Sequence, residues 1–368
     1  MKKTILVNYL GRKGGGASYA YEMTKALAQN GAKVVCVLSK YLENKDKWDA
    51  LENVDIIYVT TYNGYISFIF NYLINVLFKR FKIKKALKKY TFDAIYIPME
   101  QPFMTFINRL LPKKTPKILT VHDVDPHSGD NLITKAINDI INPSIRSKAD
   151  EVILLSKTFI ERYHEKYGID KKHIHVIRHG LFSHYNEGES LPMPIKEAKT
   201  NFLFFGRISE YKGIDLLIEA YSDLKKTEDI SLTIAGFGDM LSYQEKLKGL
   251  ENVNIFNYWI PDSEIKRFFM IKNSVLVVPY KDATQSGVIT VANLFKVPVI
   301  ASNAGGLVEQ VTHLKTGLLF ETNNIEALKV AMKEVINQTC DFNEIVENAY
   351  LETTNLWDCG AKKIIEIA

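Results

Sequence analysis

Short apolar runs separated by helical periodicities recur along the whole chain, and that alternation predicts an α/β protein. Residues 4–8, 33–38, 54–60, 94–98, 117–122, 151–156 and 174–178 each read as a buried strand. Between the first two runs a helix places Tyr19, Met23, Ala26 and Leu27 on one face, and Gly31 ends it. Residues 183–200 are polar, contain Gly188, Pro192 and Pro194, and lack strong periodicity, which marks a linker. The alternation then restarts, with strands predicted at 201–205, 231–235, 253–256, 274–279, 297–301 and 317–320. After the first of these, Ile214, Leu217, Ile218 and Tyr221 recur at helical spacing. Two successive βα series predict two Rossmann-like domains with a crevice at the carboxyl ends of the strands. The expected division is 1–185, a linker at 186–200, a second domain at 201–347, and a tail at 348–368. Leu356, Trp357, Ile364 and Ile365 suggest that this tail forms a closing helix.

Both series open with a glycine turn carrying cations. The first holds Arg12, Lys13 and the run Gly14–Gly15–Gly16; the second holds Gly206, Arg207, Lys212 and Gly213. Strand, glycine turn and helix N-terminus form a natural phosphate holder, because the helix offers open N–H groups and a positive dipole end. An ordinary βα turn with surface cations is the plainer reading of either one alone. The first turn does not fit G-x-G-x-x-G, and Ser39–Lys40 stand where a ribose-binding acid would end strand two, so a dinucleotide site is disfavoured.

Composition narrows the class. The chain has 368 residues, 46% of them hydrophobic and 24% charged, as in a globular protein of two domains. Three well-separated cysteines (Cys36, Cys340, Cys359) make neither a disulfide framework nor a zinc site and suit a reducing cytoplasm. The short apolar N-terminus runs directly into a glycine turn, so it reads as a first strand, not a signal peptide.

The stretch from Tyr65 to Lys89 stands apart. An aromatic-rich apolar run too short to span a bilayer is followed by seven basic residues between Lys79 and Lys89, with no acid among them. One reading is a core helix followed by a solvated cationic one. The other, favoured by the adjoining aromatics, is contact with an anionic membrane surface, each cation there being worth about 1 kcal/mol. Nucleic acid explains the apolar half less well. His122, at the end of a strand, is placed to hydrogen-bond a substrate. Asp123 and Asp125 could instead be a metal-binding carboxylate pair, or His122, Asp123 and His127 could share a metal, weaker readings without matching distant ligands.

The words FFGRISEYKGIDLLIEAY, LTIAGFGDM, NYWIPDSEI, VPYKDATQSGV, KVPVIASNAGGLVEQV and KTGLLF follow in order over about residues 200–320. In that order they resemble the retaining glycosyltransferases of family 4; GGGASYAYEMTKALAQNG, VHD and VIRHG resemble it more loosely. The resemblance implies the GT-B fold, two Rossmann-like domains facing across a cleft. It also implies transfer of a hexose-type sugar from a UDP- or GDP-linked donor to a hydroxyl with retained anomeric configuration. It implies that Arg207 and Lys212 grip the donor diphosphate without a metal cofactor. By the same resemblance His122 contacts the donor sugar, Gly15 and Gly16 let backbone approach the ligand, and the backbone at Ile260 reads the base. Gly206 and Gly238 fall in the matching donor turns.

One departure stands out. The family's Glu–seven residues–Glu element falls on Ala283 and Val291, and the segment reads D-x-x-Q-S-G instead. Asp282 stands one residue early. Gln285, Ser286 and the N–H groups of Gly287 and Val288 remain donors for phosphate at a helix start. The expected setting is a bacterial polysaccharide transferase, peripheral on the inner face of the cell membrane, with a lipid-linked glycan acceptor and no nucleic-acid partner. The alternative is a catalytically weak or silent homologue that binds nucleotide or glycan for another transferase.

Overall fold

The computed structural model describes residues 2–62, 71, 74, 79–101, 104–125, 142–189, 192–195 and 197–368. It contains two wholly parallel sheets. The first runs β3-β2-β1-β4-β5-β6-β7, from β1 (Thr4–Tyr9), β2 (Lys33–Ser39), β3 (Val54–Val59), β4 (Ala94–Ile97), β5 (Lys117–Val121), β6 (Glu151–Leu154) and β7 (Ile174–Val176). The second runs β10-β9-β8-β11-β12-β13, from β8 (Thr200–Phe205), β9 (Ile230–Ala235), β10 (Val253–Phe256), β11 (Ser274–Val278), β12 (Val299–Ser302) and β13 (Leu318–Phe320). Parallel strands covered on both faces must be apolar throughout rather than alternating. That is why Ile5, Leu6 and Val7, and Phe202, Leu203 and Phe204, are all fully buried.

Strand order reverses beside β1 in the first sheet and beside β8 in the second. A crevice opens at the carboxyl end of the strands at such a switch point. The two glycine turns that the sequence singles out leave β1 and β8, so both sit where this topology seats ligands.

Contacts divide the chain into two compact units. The first holds Met1–Asp125, the strands up to Arg178, and Leu356–Ala368; the second holds His179–Asn355. The tail forms two helices where one closing helix was expected. Asp341 caps Phe342–Thr354 by accepting from the N–H groups of Asn343 and Glu344, and Asn355 separates it from Leu356–Ile367. That last helix belongs to the first unit. Its Asp358 accepts a 2.7 Å bond from Asn30, its Trp357 ring meets Tyr19 edge-on, and the Ala368 carbonyl accepts from Lys3.

Most of residues 65–78 lies outside the described residues, and so does His127. The basic half that follows is a helix, Arg80–Leu87, which buries Ile83 and Leu87 and leaves its cations and Phe81 exposed. Among the described residues no helix is long and apolar enough to cross a membrane.

Candidate functional site

In the second unit, β8 runs into Gly206, whose φ of 122° belongs to the region that favours glycine. The neighbouring turn after β9 packs directly onto it. A Cβ on Gly236, itself at φ 149°, would lie 1.7 Å from the Gly206 carbonyl oxygen, so no larger residue fits there. Gly238 pairs with Ile208 in an isolated bridge and exchanges hydrogen bonds with the Asn257 side chain. Arg207 projects outward, exposed, with no hydrogen bond or ion pair among the described residues. Glu210–Lys212 then form a 3-10 turn, and the helix Ile214–Leu224 begins behind Gly213. Ile214, Leu217, Ile218 and Tyr221, the face read from the spacing, are all buried to within 1%.

Lys212 is not the surface cation of an ordinary βα turn. Only 9% exposed, it donates a 2.6 Å hydrogen bond to the Tyr280 hydroxyl, and its ammonium sits 4.2 Å from that ring's centroid. Gly213 makes this approach possible: at φ 65° its Cα faces Pro279, and an added Cβ would fall 1.9 Å from the Pro279 carbonyl.

The third part of the site is the N-terminus of the helix Gly287–Leu294. A Cβ placed on Gly206 would lie 3.6 Å from Val288 Cγ2 and 3.8 Å from Lys212 Nζ, so turn, ammonium and helix start converge. The Ser286 side chain makes no cap. Its Oγ donates to the Tyr280 hydroxyl and its N–H to Gln310 Oε1 at 2.6 Å, while Gln310 Nε2 donates to its carbonyl at 3.0 Å. This corrects the expectation that Ser286 is an open donor: its two protons are already committed within the unit. The N–H groups of Gly287 and Val288 make no hydrogen bond among the described residues, because first-turn helix donors lack an intrahelical acceptor. Gln285 Oε1 is buried without a partner.

The two positions where the resemblance puts glutamates are apolar and closed. Ala283 is 1% exposed and Val291 5%, whereas Asp282 is exposed. Ile260 is half-buried and follows Tyr258 and Trp259, both exposed.

In the first unit, Gly15 and Gly16 open the helix Gly15–Gln29, with Gly14 as its cap at φ 80°. Gly16 is tight, since a Cβ there would meet Met99 Sδ at 2.3 Å, while Gly15 has open space. His122 follows β5 and is buried. Its Nε2 lies 2.8 Å from the Pro98 carbonyl. A carbonyl can only accept, so Nε2 carries the proton and Nδ1 is the ring's acceptor. Burial lowers the imidazole below its ordinary value of 6.5, against the upward pull of the Pro98 carbonyl and Asp123, so the ring is neutral at neutral pH.

The sign of the consequence is fixed. The unfolded chain takes up this proton first, so folding stability falls as pH drops below about 6.5. Chemical denaturation of the parent and His122→Gln between pH 5 and 7 is expected to show a flatter acid limb in the variant.

The loop carrying His122 has a brace that sequence reasoning missed. Arg146 forms a two-pronged pair with Glu100 (Nε–Oε1 and Nη2–Oε2, each 2.8 Å) and also donates to the carbonyls of Asp123 and Val124 and to the Tyr167 hydroxyl. Side-chain exposures of 6% and 10% make it a buried pair. Burial raises the Glu100 carboxyl despite the guanidinium beside it, while the carboxylate holds Arg146 firmly charged. No local signal announces a partner 46 residues away. No group of three or more His, Cys, Asp or Glu among the described residues is arranged to hold a metal.

Two doubly wound parallel units, the second with a cation and an open helix start at its switch point, define a Rossmann-like pair equipped to seat an anion. Residues 13–181 match the family model "Glycosyltransferase Family 4", and residues 190–352 match "Glycosyl transferases group 1". The two matches support a glycosyltransferase family, and the fold is GT-B. The chain is 26% identical over 75% of its length to 74% of an uncharacterized 41.2 kDa protein in the cps region of Klebsiella pneumoniae. It is 29% identical over 82% of its length to 79% of an uncharacterized glycosyltransferase of Methanocaldococcus jannaschii. Matches to two other uncharacterized glycosyltransferases, of M. jannaschii and Haemophilus influenzae, span about half of those proteins, 45% and 48%. Among solved structures, a Rickettsia africae glycosyltransferase superposes with a TM-score of 0.70 at 21% identity, covering 99% of this chain and 98% of that one. Anabaena HepE, solved with UDP and glucose, gives 0.70 at 18% identity, covering 99% of each.

Proposed function

We propose that this chain is a retaining glycosyltransferase that moves a hexose-type sugar from a UDP- or GDP-linked donor to a hydroxyl of a lipid-linked glycan in surface polysaccharide synthesis. The observation that carries the reading is the convergence of Gly206, Lys212 and the Gly287–Leu294 helix start in one place. There a diphosphate would meet a fixed ammonium and the N–H groups of Gly287 and Val288, with Arg207 extended beside them from the turn. Charge grows on the leaving diphosphate as the glycosidic bond breaks, and prearranged cations stabilise that growth. Arg207 and Lys212 are therefore given the role that a metal ion fills in other sugar transferases. The departing diphosphate takes the proton of the attacking hydroxyl on the same face, which retains the configuration. His122 orients the sugar through Nδ1, Gly15 and Gly16 allow close backbone approach, and Ile260 reads the base.

We read the D-x-x-Q-S-G segment as that of a variant in which the usual ribose-binding glutamate is missing and another residue must supply its contact. That departure favours one second reading, a catalytically silent nucleotide or glycan binder, because Ala283 and Val291 leave no carboxylate at either place. Incubation with a panel of UDP- and GDP-sugars separates the two. Slow hydrolysis of one donor, with the anomeric configuration kept in the released sugar, is expected. Tight nucleotide binding without hydrolysis of any donor favours the silent reading.

The acceptor half of the proposal rests on the Arg80–Leu87 helix. It buries Ile83 and Leu87 but leaves Phe81 66% exposed among Arg80, Lys82, Lys84 and Lys85, a surface suited to anionic lipid heads. Flotation with phosphatidylglycerol vesicles is expected to weaken sharply when the cations from Lys79 to Lys89 become glutamine. Unchanged flotation removes membrane contact from the account.

A further inference from the structure

We propose that Gln310 is a positioning residue whose side-chain amide holds Ser286 extended and so aims the open N–H groups of Gly287 and Val288 at the donor diphosphate. The inference rests on reading the second unit as the diphosphate seat and goes beyond it by assigning what fixes the backbone donors. Gln310 Oε1 accepts from the Ser286 N–H at 2.6 Å, and its Nε2 donates to the Ser286 carbonyl at 3.0 Å. A residue turns its own N–H and C=O to one side when it is extended, as in a β-ladder. Ser286 stands at φ −137° and ψ 113°, so the paired bonds keep it out of the helix and winding begins at Gly287. The Ser286 carbonyl and the Gly287 N–H share one planar trans peptide and point opposite ways. Drawing the carbonyl onto Gln310 turns that N–H away from it, and accepting a bond polarises the peptide so that its N–H donates more strongly. The helix itself adds to this carbonyl only a 3.3 Å bond from the Ile289 N–H.

The chemistry of the anchor is specific. It must accept on one side and donate on the other, which an ionised carboxylate cannot do. An amide is also neutral, so it adds no negative charge beside a place meant for an anion. Among the described residues the side chain bonds nothing else, so its effect runs through Ser286. The Ser286 hydroxyl has a separate partner in Tyr280, at 3.3 Å, which leaves the peptide groups to Gln310. Gln310 is fixed in turn. Its N–H donates to the Leu307 carbonyl at 2.9 Å, and Leu307 and Val311 are buried to within 1%. In the same strap the Gly306 N–H donates to the Ala283 carbonyl at 3.0 Å, so the approach to the helix is tied down at both ends.

Titration calorimetry with inorganic pyrophosphate and amide hydrogen exchange on the full chain test the assignment, using the parent, Gln310→Met and Gln310→Glu. Gln310→Met keeps the length of the side chain and removes both bonds. It is expected to weaken pyrophosphate roughly tenfold, as for the net loss of one or two hydrogen bonds. Exchange is expected to quicken in residues 284–289 and to stay unchanged in the Ile214–Leu224 helix. Gln310→Glu keeps the acceptor, loses the donor and adds a negative charge. It is expected to bind pyrophosphate at least as weakly as Gln310→Met and serves if the methionine variant does not fold. Unchanged pyrophosphate affinity in the variants, exchange that rises equally across the second unit, or a parent that binds no pyrophosphate each overturn the assignment. A parent that binds pyrophosphate with the expected dependence on Gln310 but neither UDP nor GDP contradicts the sugar-nucleotide reading and leaves the role of Gln310 standing. UDP or GDP binding that Gln310→Met leaves unchanged does the reverse.

Discussion

Lys212→Ala is expected to lower kcat for donor turnover by roughly 10²–10³-fold, the usual cost of removing one prearranged group from a site of developing negative charge. The chain should remain folded, because the helix that follows is held by Ile214, Leu217, Ile218 and Tyr221, none of which depends on the ammonium. Arg207→Ala is expected to lose activity too, with a different signature. Arg207 is exposed and held by no described neighbour, so ordering it costs side-chain entropy that ligand binding must offset. Its loss should raise KM as well as lower kcat, whereas loss of the buried, pre-oriented Lys212 should fall mainly on kcat. Steady-state kinetics on the donor identified by hydrolysis would check both. Near-normal turnover in the two variants would remove the cations from the mechanism.

The second large effect is on stability, in the first unit. Arg146→Met leaves the Glu100 carboxylate buried without its two-pronged partner and strips a donor from each of the Asp123 and Val124 carbonyls. Breaking a buried ion pair from one side costs about 3–5 kcal/mol, most of it the penalty of a stranded charge. Replacing both partners, as Arg146→Met with Glu100→Leu, should recover much of that loss, because the charge to be desolvated is gone. Denaturant titration of the parent, the single and the double variant reads the difference. A single variant within about 1 kcal/mol of the parent contradicts a structural role for the pair. Recovery of stability without activity in the double variant would show that the two carbonyl contacts matter for holding the loop beside His122.

The strands were legible because a parallel sheet demands unbroken apolar runs. All thirteen strands among the described residues fall on stretches that the sequence marks, with ends shifted by at most two residues. The helices were less legible at their ends. Asn355 divides the tail into two helices, and nothing in the local pattern of Leu351 and Leu356 announces it. The candidate site divides along the same line. Arg207 and Lys212 were visible because both lie within seven residues of an apolar strand and a glycine turn. Tyr280 and Gln310 were not, because each matters through a partner brought close by folding: Lys212 lies 68 residues from Tyr280, and Ser286 lies 24 from Gln310. An aromatic residue after a strand and a glutamine just past a 3-10 turn carry no mark of that use. The sequence likewise suggested Ser286 as an open phosphate donor, and only the fold reveals that its protons are committed to Gln310 and Tyr280.

The central claim is that the second unit binds a nucleoside diphosphate through the Gly206 turn, Lys212 and the start of the Gly287–Leu294 helix. Titration calorimetry of the parent and Lys212→Ala with UDP, UMP, GDP and GMP addresses it most directly. The account predicts one-to-one binding of UDP or GDP by the parent, with a clear preference over the matching monophosphate, and loss of that preference in Lys212→Ala. Equal affinities for diphosphate and monophosphate in the parent, or an undiminished diphosphate preference in the variant, would contradict it.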